Sequence, residues 1–174
     1  MTMAAQQRKL LGLVRSTYDG ESDSDPYIRT VAASADLLEA RRNILLWRVW
    51  VLERMCPLTF ALLKSRGALG ELVDAFIRRC NISPFRETQA PEFLDMVSTY
   101  PDHVLASVSR FERALMRVRD GESGPFEVTW NVDPHLVLSR LAMQLPLDEP
   151  IEEGAWRVVV SPQEPGGFSI ERTG

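Results

Sequence analysis

The stretch Ile44-Leu45-Leu46-Trp47-Arg48-Val49-Trp50-Val51-Leu52-Glu53-Arg54-Met55-Cys56-Pro57 puts two of the chain's four tryptophans and a pair of arginines on one helix, which Pro57 then ends. Positions 36–55 contain no glycine or proline, and apolar residues recur at Leu37, Leu38, Ile44, Leu45, Val49, Leu52 and Met55, close to the α-helical period. Trp47, Val51 and, less clearly, Trp50 widen that stripe beyond the roughly 100° an ordinary surface helix needs. The expectation is a nearly surrounded helix. Either it is the central helix of its domain with the indoles in the core, as large aromatics usually are, or another chain covers its far side.

A chain of 174 residues buries about 70% of its unfolded surface and can hold a core without metal or disulfide. Its 45% hydrophobic and 25% charged content is that of a globular protein. Cys56 and Cys80 are the only cysteines and show no CxxC spacing, so buried thiols in a reducing compartment are expected. The first residues carry Gln6, Gln7, Arg8 and Lys9 and do not read as a signal peptide. No apolar run reaches the ~20 residues of a membrane span, because Arg41, Arg42, Arg48, Glu53 and Arg54 interrupt the most hydrophobic helix. A cytoplasmic protein with no membrane partner is expected.

Of the 20 basic residues only Lys9 and Lys64 are lysines. Arginine suits planar ion pairs and interfaces, although a GC-rich genome produces the same bias. Residues 1–122 hold 17 basic and 16 acidic groups, a net of +1, whereas residues 123–174 hold three basic and eight acidic, a net of −5.

The apolar period changes at the same place. Helical patterns cover 6–18, 27–33, 36–55, 58–64, 69–80, 91–98 and 101–119; the last has Val104, Leu105, Val108, Phe111, Leu115 and Val118 as one stripe, with Pro101 in its first turn. Asp19-Gly20-Glu21-Ser22-Asp23-Ser24-Asp25-Pro26 reads as a mobile loop. After Gly121, Phe126, Val128 and Trp130 alternate with Glu127, Thr129 and Asn131 as a half-buried strand. Positions 135–145 fit either a strand or a short helix. Two short strands, 155–161 and 167–172, flank Pro162-Gln163-Glu164-Pro165-Gly166 as a hairpin. The fold class is therefore α+β: an N-terminal helical bundle, residues 1–121, followed by a small C-terminal antiparallel β region, residues 122–174.

Catalytic patterns are absent from the sequence. His103 and His135 lie far from each other and from both cysteines, so no metal-ligand spacing can be written and no cofactor is expected in this chain. No GxGxxG, GxxxxGK[ST] or GxSxG occurs, and Asp148-Glu149 and Glu152-Glu153 fall in a polar, proline-bounded connection. The residues point to binding rather than to an enzyme.

The order of several short motifs resembles a known family. Trp47-Arg48, then Cys56-Pro57 with Leu62-Leu63, then Ser83-Pro84-Phe85 followed by Phe93-Leu94, then Arg110-Phe111-Glu112-Arg113-Ala114, is similar to the succession in small bacterial partner proteins. Those proteins are non-catalytic partners of iron-dependent TIM-barrel enzymes that modify cysteines in ribosomally made peptides, as in methanobactin and thiaglutamate biosynthesis. The resemblance spans about residues 38–119 and only loosely the β region. It departs from the family at Trp47, where tyrosine is usual, and at Val49 and Trp50, where asparagines often stand. It implies an accessory subunit that binds a precursor (leader) peptide and presents it to the barrel enzyme, in which the iron resides. It also aligns Trp47, Arg48 and Glu112 with the family's motifs; together with Arg41 and Trp50 on the arginine-bearing face, they are the candidate partner contacts.

Strand addition needs an unpaired sheet edge, and the C-terminal hairpin offers one, unless its first strand is internal to a small sheet packed on the helices. The candidate peptide-binding residues are Trp156, Arg157, Val158, Val159 and Val160 on its first strand and Phe168, Ile170 and Arg172 on its second, with Arg157 or Arg172 meeting an acidic leader. The competing expectation is an Arg-rich helix-turn-helix, 58–64 and 69–80 joined by Arg66-Gly67-Ala68. A net charge of −4, with Glu71 and Asp74 on its second helix, argues against nucleic acid.

Overall fold

The computed structural model describes residues 2–79, 86–147 and 151–174. Cys80 and the Ser83-Pro84-Phe85 motif lie outside them. Among the described residues the fold is α+β, with eight α-helices and one three-stranded antiparallel sheet. The helices are α1 (Met3–Val14), α2 (Pro26–Ala32), α3 (Ala35–Met55), α4 (Pro57–Ser65), α5 (Leu69–Arg79), α6 (Arg86–Val97), α7 (His103–Arg119) and α8 (Pro134–Ala142). The strands are β1 (Phe126–Val132), β2 (Glu153–Val160) and β3 (Phe168–Arg172). The chain divides into two compact units, Met1–Val49 and Trp50–Gly174.

In the first unit, Leu13, Ile28 and Leu37 form a small core with Leu10, Val14, Tyr18 and Val31 packed on it. Gly20 touches this core so closely that a Cβ there would sit 2.9 Å from Leu13 Cδ2. The polar stretch from Asp19 to Pro26, expected as a mobile loop, is tied down by a buried side chain. Asp23 accepts from the Asp25 amide at 2.8 Å and from the Tyr18 hydroxyl, and it pairs with Lys9. Those donors, the Asp25 amide foremost, hold its carboxyl well below the usual carboxylate range. Asp25 in turn caps α2, accepting from Tyr27 N at 2.9 Å, with Pro26 in the first turn.

The second unit is built on α7, which packs against α4, α6, β1 and β2. Asp102 caps it through Val104 N (3.0 Å) and Leu105 N (3.1 Å), so the helix starts at His103 and the expected first-turn proline, Pro101, stands ahead of the cap. The helix expected from Pro91 begins at Arg86 and carries Pro91 inside it. The missing proline N–H is tolerated because Ala90, Phe93, Leu94 and Val97 are all fully buried. Phe93 meets Phe60 (5.8 Å between centroids) and Phe76 (5.2 Å, edge to face) at the centre of this core. The ambiguous 135–145 segment is helical as far as Ala142, because Asp133 caps it through His135 N at 2.8 Å and Pro134 opens it. Helix and sheet belong to one unit here: the composition change near Gly121 falls between α7 and β1, inside Trp50–Gly174.

The sheet order is β1-β2-β3. Three rungs cross it: Phe126–Val160–Phe168, Val128–Val158–Ile170 and Trp130–Trp156–Arg172. Val128, Trp130, Val158 and Val160 are buried, and Phe168 meets Phe111 of α7 edge to face at 5.1 Å, so these rungs form the face turned to the helix. Glu127, Thr129, Arg157, Glu171 and their neighbours form the other face by the two-residue period.

α3 departs most from expectation. It is one helix, but Trp47 is 55% and Trp50 45% exposed, with Leu38 and Leu46 also at the surface. Leu37, Val51 and Leu52 are its buried apolar residues. Truncation should separate the two kinds of aromatic. Phe93→Ala is expected to cost about 3–5 kcal/mol, whereas Trp47→Ala should cost less than about 1 kcal/mol; urea unfolding of both variants checks this.

Candidate functional site

The site residues read from the sequence fall into two groups, and the sheet decides the fate of the second. Ser161 N bonds Gly167 O at 3.0 Å and Thr173 N bonds Ala155 O at 2.8 Å. Since the sides alternate along an antiparallel ladder, residues 167, 169, 171 and 173 turn their main-chain groups toward β2. Phe168, Ile170 and Arg172 turn theirs away from it. By the same alternation Trp156, Val158 and Val160 bond toward β1, while Arg157 and Val159 bond toward β3. β2 is therefore the central strand, and peptide addition along Trp156, Arg157, Val158, Val159 and Val160 has no edge to use. The expectation is corrected to β3.

The two outer edges differ. On β1, the outward carbonyl of Thr129 already accepts from Ser107 Oγ of α7 at 3.0 Å. On β3, no hydrogen bond from the described residues reaches the outward groups of Phe168, Ile170 or Arg172. A short strand with three main-chain positions that no described residue bonds is a pairing template unless something blunts it. Its inward-face side chains are Phe168, Ile170 and Arg172, the first two half-buried.

Neither arginine is a spare cation. Arg157 pairs with Glu171 at 2.6 Å and Glu127 at 3.5 Å on the face away from α7. Arg172 pairs with Glu152 at 3.1 Å and lies over the Trp156 ring, 5.4 Å from its centroid.

The partner-binding candidates divide between the two units. In the first unit Arg41 is half-buried and donates Nε to Leu13 O at 2.8 Å, closing α1 onto α3, and Trp47 is exposed. Arg48 is half-buried, and burial, then the neighbouring Arg15, lowers its pKa. In the second unit Trp50 is exposed with the Arg54 guanidinium 4.8 Å from its centroid.

Glu112 lies inside the second unit rather than at a docking surface. It is 5% exposed, and its two oxygens accept from Leu58 N (2.7 Å) and Thr59 N (2.8 Å). Cys56 precedes α4 without a side-chain cap, so a carboxylate from α7 supplies the missing acceptor. Burial pushes the Glu112 carboxyl up to about 7, against the two amides that pull it down. Burial also pushes the Cys56 thiol up, which keeps it protonated and inert.

Among the described residues no three His, Cys, Asp or Glu side chains cluster as a metal site, and no helix is long and apolar enough to cross a membrane. A cleft of about 510 Å³ in the second unit is lined by Met55, Glu87, Pro91, Met116, Arg119 and Asp120, a wall without histidine, cysteine or hydroxyl.

No protein-family model, curated protein or solved structure matches the chain.

Two signals for these features were present in the sequence. Glu112 stands four residues after Val108 and seven after Leu105, on the buried stripe of α7, where a charge needs a partner. Asp133-Pro134 is a cap followed by a first-turn proline.

Glu112 generates a pH prediction. Its folded pKa of about 7 lies above the ordinary 4.5, so the folded state holds more protons between those values and stability falls as pH rises through that window. Urea unfolding across it should show the decline in the wild type and lose this component in Glu112→Gln. Glu112→Ala, which orphans both α4 amides, should cost about 1–3 kcal/mol.

Proposed function

We propose that this chain is a non-catalytic accessory subunit that receives a ribosomally made precursor peptide as an added strand along β3 and presents it to an iron-dependent TIM-barrel enzyme. The observation that carries the peptide half is the β3 edge, where no hydrogen bond from the described residues reaches the outward main-chain groups of Phe168, Ile170 and Arg172, while on the opposite edge Ser107 of α7 already bonds the Thr129 carbonyl. Such an edge reads backbone rather than side chains, so it accepts an extended segment whose affinity rests on main-chain hydrogen bonds. Left uncovered, it is an aggregation liability, and a functional partner explains its persistence.

The enzyme half draws on the sequence resemblance. The exposed indoles of Trp47 and Trp50 supply the kind of surface on which partner contacts concentrate. Arg41 precedes them and Arg48 stands between them in sequence on α3. The iron belongs to the barrel enzyme in this reading, and the chain's own part is to bind and orient.

The edge makes a sharp prediction for proline. Ile170→Pro deletes an N–H that the β2 ladder does not use, so it should preserve circular dichroism while weakening binding of a precursor leader peptide at least about tenfold, the loss of one to two main-chain bonds. Ser169→Pro removes an N–H directed at β2 and should damage the sheet itself. Isothermal titration with the full chain is the measurement. Wild-type affinity in a folded Ile170→Pro variant would remove β3 from the mechanism. For the enzyme half, Trp50→Ala should abolish co-purification with a co-expressed TIM-barrel iron enzyme without unfolding the chain.

A further inference from the structure

On the face of the sheet turned away from α7, charge alternates strand by strand. Glu127 of β1 lies 3.5 Å from Arg157 of β2, and Arg157 lies 2.6 Å from Glu171 of β3. The row holds two carboxylates and one guanidinium, and its outermost member, Glu171, stands on the open edge. A strand laid beside β3 would continue this row, and the sign that continues it is positive.

The register sharpens the point. Phe168, Ile170 and Arg172 hold the outward main-chain groups, so in an antiparallel addition they become the hydrogen-bonded positions. Ser169 and Glu171 then occupy the non-hydrogen-bonded positions, where facing Cα atoms approach to about 4.5 Å and side chains interact most strongly. Every pairing in this sheet is antiparallel, which is also the more stable arrangement per residue.

We infer that the segment received along β3 runs antiparallel to it and carries a lysine or arginine opposite Glu171, between an acidic residue opposite Arg172 and an apolar one opposite Ile170. The inference rests on the reading of β3 as the peptide edge. It replaces the expectation of an acidic leader with a segment whose decisive charge is basic. The acidic neighbour faces the Arg172 guanidinium, which already holds Glu152, and so contributes less than the basic residue. Opposite Ile170 and Phe168 the segment lies on the same face as Val158, Val160 and Phe111, so apolar residues continue the core there. The strand pattern, read along the incoming peptide, is acidic, basic, apolar, small polar, apolar.

Two synthetic peptides carrying fluorescein on the N-terminal amine test it, fluoresceinyl-Gly-Gly-Glu-Lys-Val-Thr-Val-Gly-amide and the same peptide with glutamate in place of lysine. Fluorescence polarisation with the full chain should show the lysine peptide binding about fivefold more tightly, the upper range of a cross-strand charge pair. Glu171→Gln should erase that preference, and Glu171→Lys should reverse it. A lysine peptide N-methylated at its valines should lose binding to every form of the chain, as should the unmodified peptide with Ile170→Pro. If both peptides bind the wild type equally while N-methylation and Ile170→Pro still abolish binding, the basic register is overturned and the edge reading survives. If neither peptide binds, or if N-methylation and Ile170→Pro change nothing, the edge reading falls with it.

Discussion

Each strand has only two sides on which to pair its backbone, and β2 has spent both. Its residues alternate between β1 and β3, which leaves the outer edges of those two neighbours for anything further. On β1 a hydroxyl of α7 meets the outward carbonyl of Thr129. On β3 no hydrogen bond from the described residues reaches the outward groups, and the binding properties proposed for this chain follow from that asymmetry.

The asymmetry depends in turn on α7. This helix lies against β1 and β2, carries Ser107 to the β1 edge and places Phe111 against Phe168. From the same helix Glu112 reaches the first amides of α4, a helix whose own entry residue, Cys56, offers no cap. One element thus fixes helix packing and sheet orientation together. An aliphatic residue at position 112 would pack as well but leave two buried N–H groups unpaired.

Much of this was legible in the sequence, and the failures have identifiable physical causes. The alternation of Phe126, Val128 and Trp130 gave β1, and the Pro-Gly-bearing turn placed β2 beside β3. Alternation reports a half-buried strand but not its place in a sheet, because β1 pairs with β2 across an intervening helix and such long-range pairing leaves no local mark. Hence Trp156 and Val158 were expected at an edge and stand at the centre. On α3 the apolar stripe was counted correctly but is wider than the face that is buried; Trp47 and Trp50 fall on the remainder. The polar loop before α2 looked mobile by composition, and only the burial of Asp23 among its donors shows otherwise. Glu112 is a candidate partner contact only through the motif that the resemblance aligns it with, whereas its place on the α7 stripe points inward.

The most direct measurement of the central claim is amide hydrogen exchange of the full chain with and without bound precursor peptide, resolved residue by residue by NMR. The account predicts that binding slows exchange at Phe168, Ile170 and Arg172, whose amides point outward, while Ser169 and Glu171, already bonded within the sheet, change little. Protection that appears instead at Glu127 and Asn131 on β1, or only on the helices, with those three amides unaltered, would contradict it.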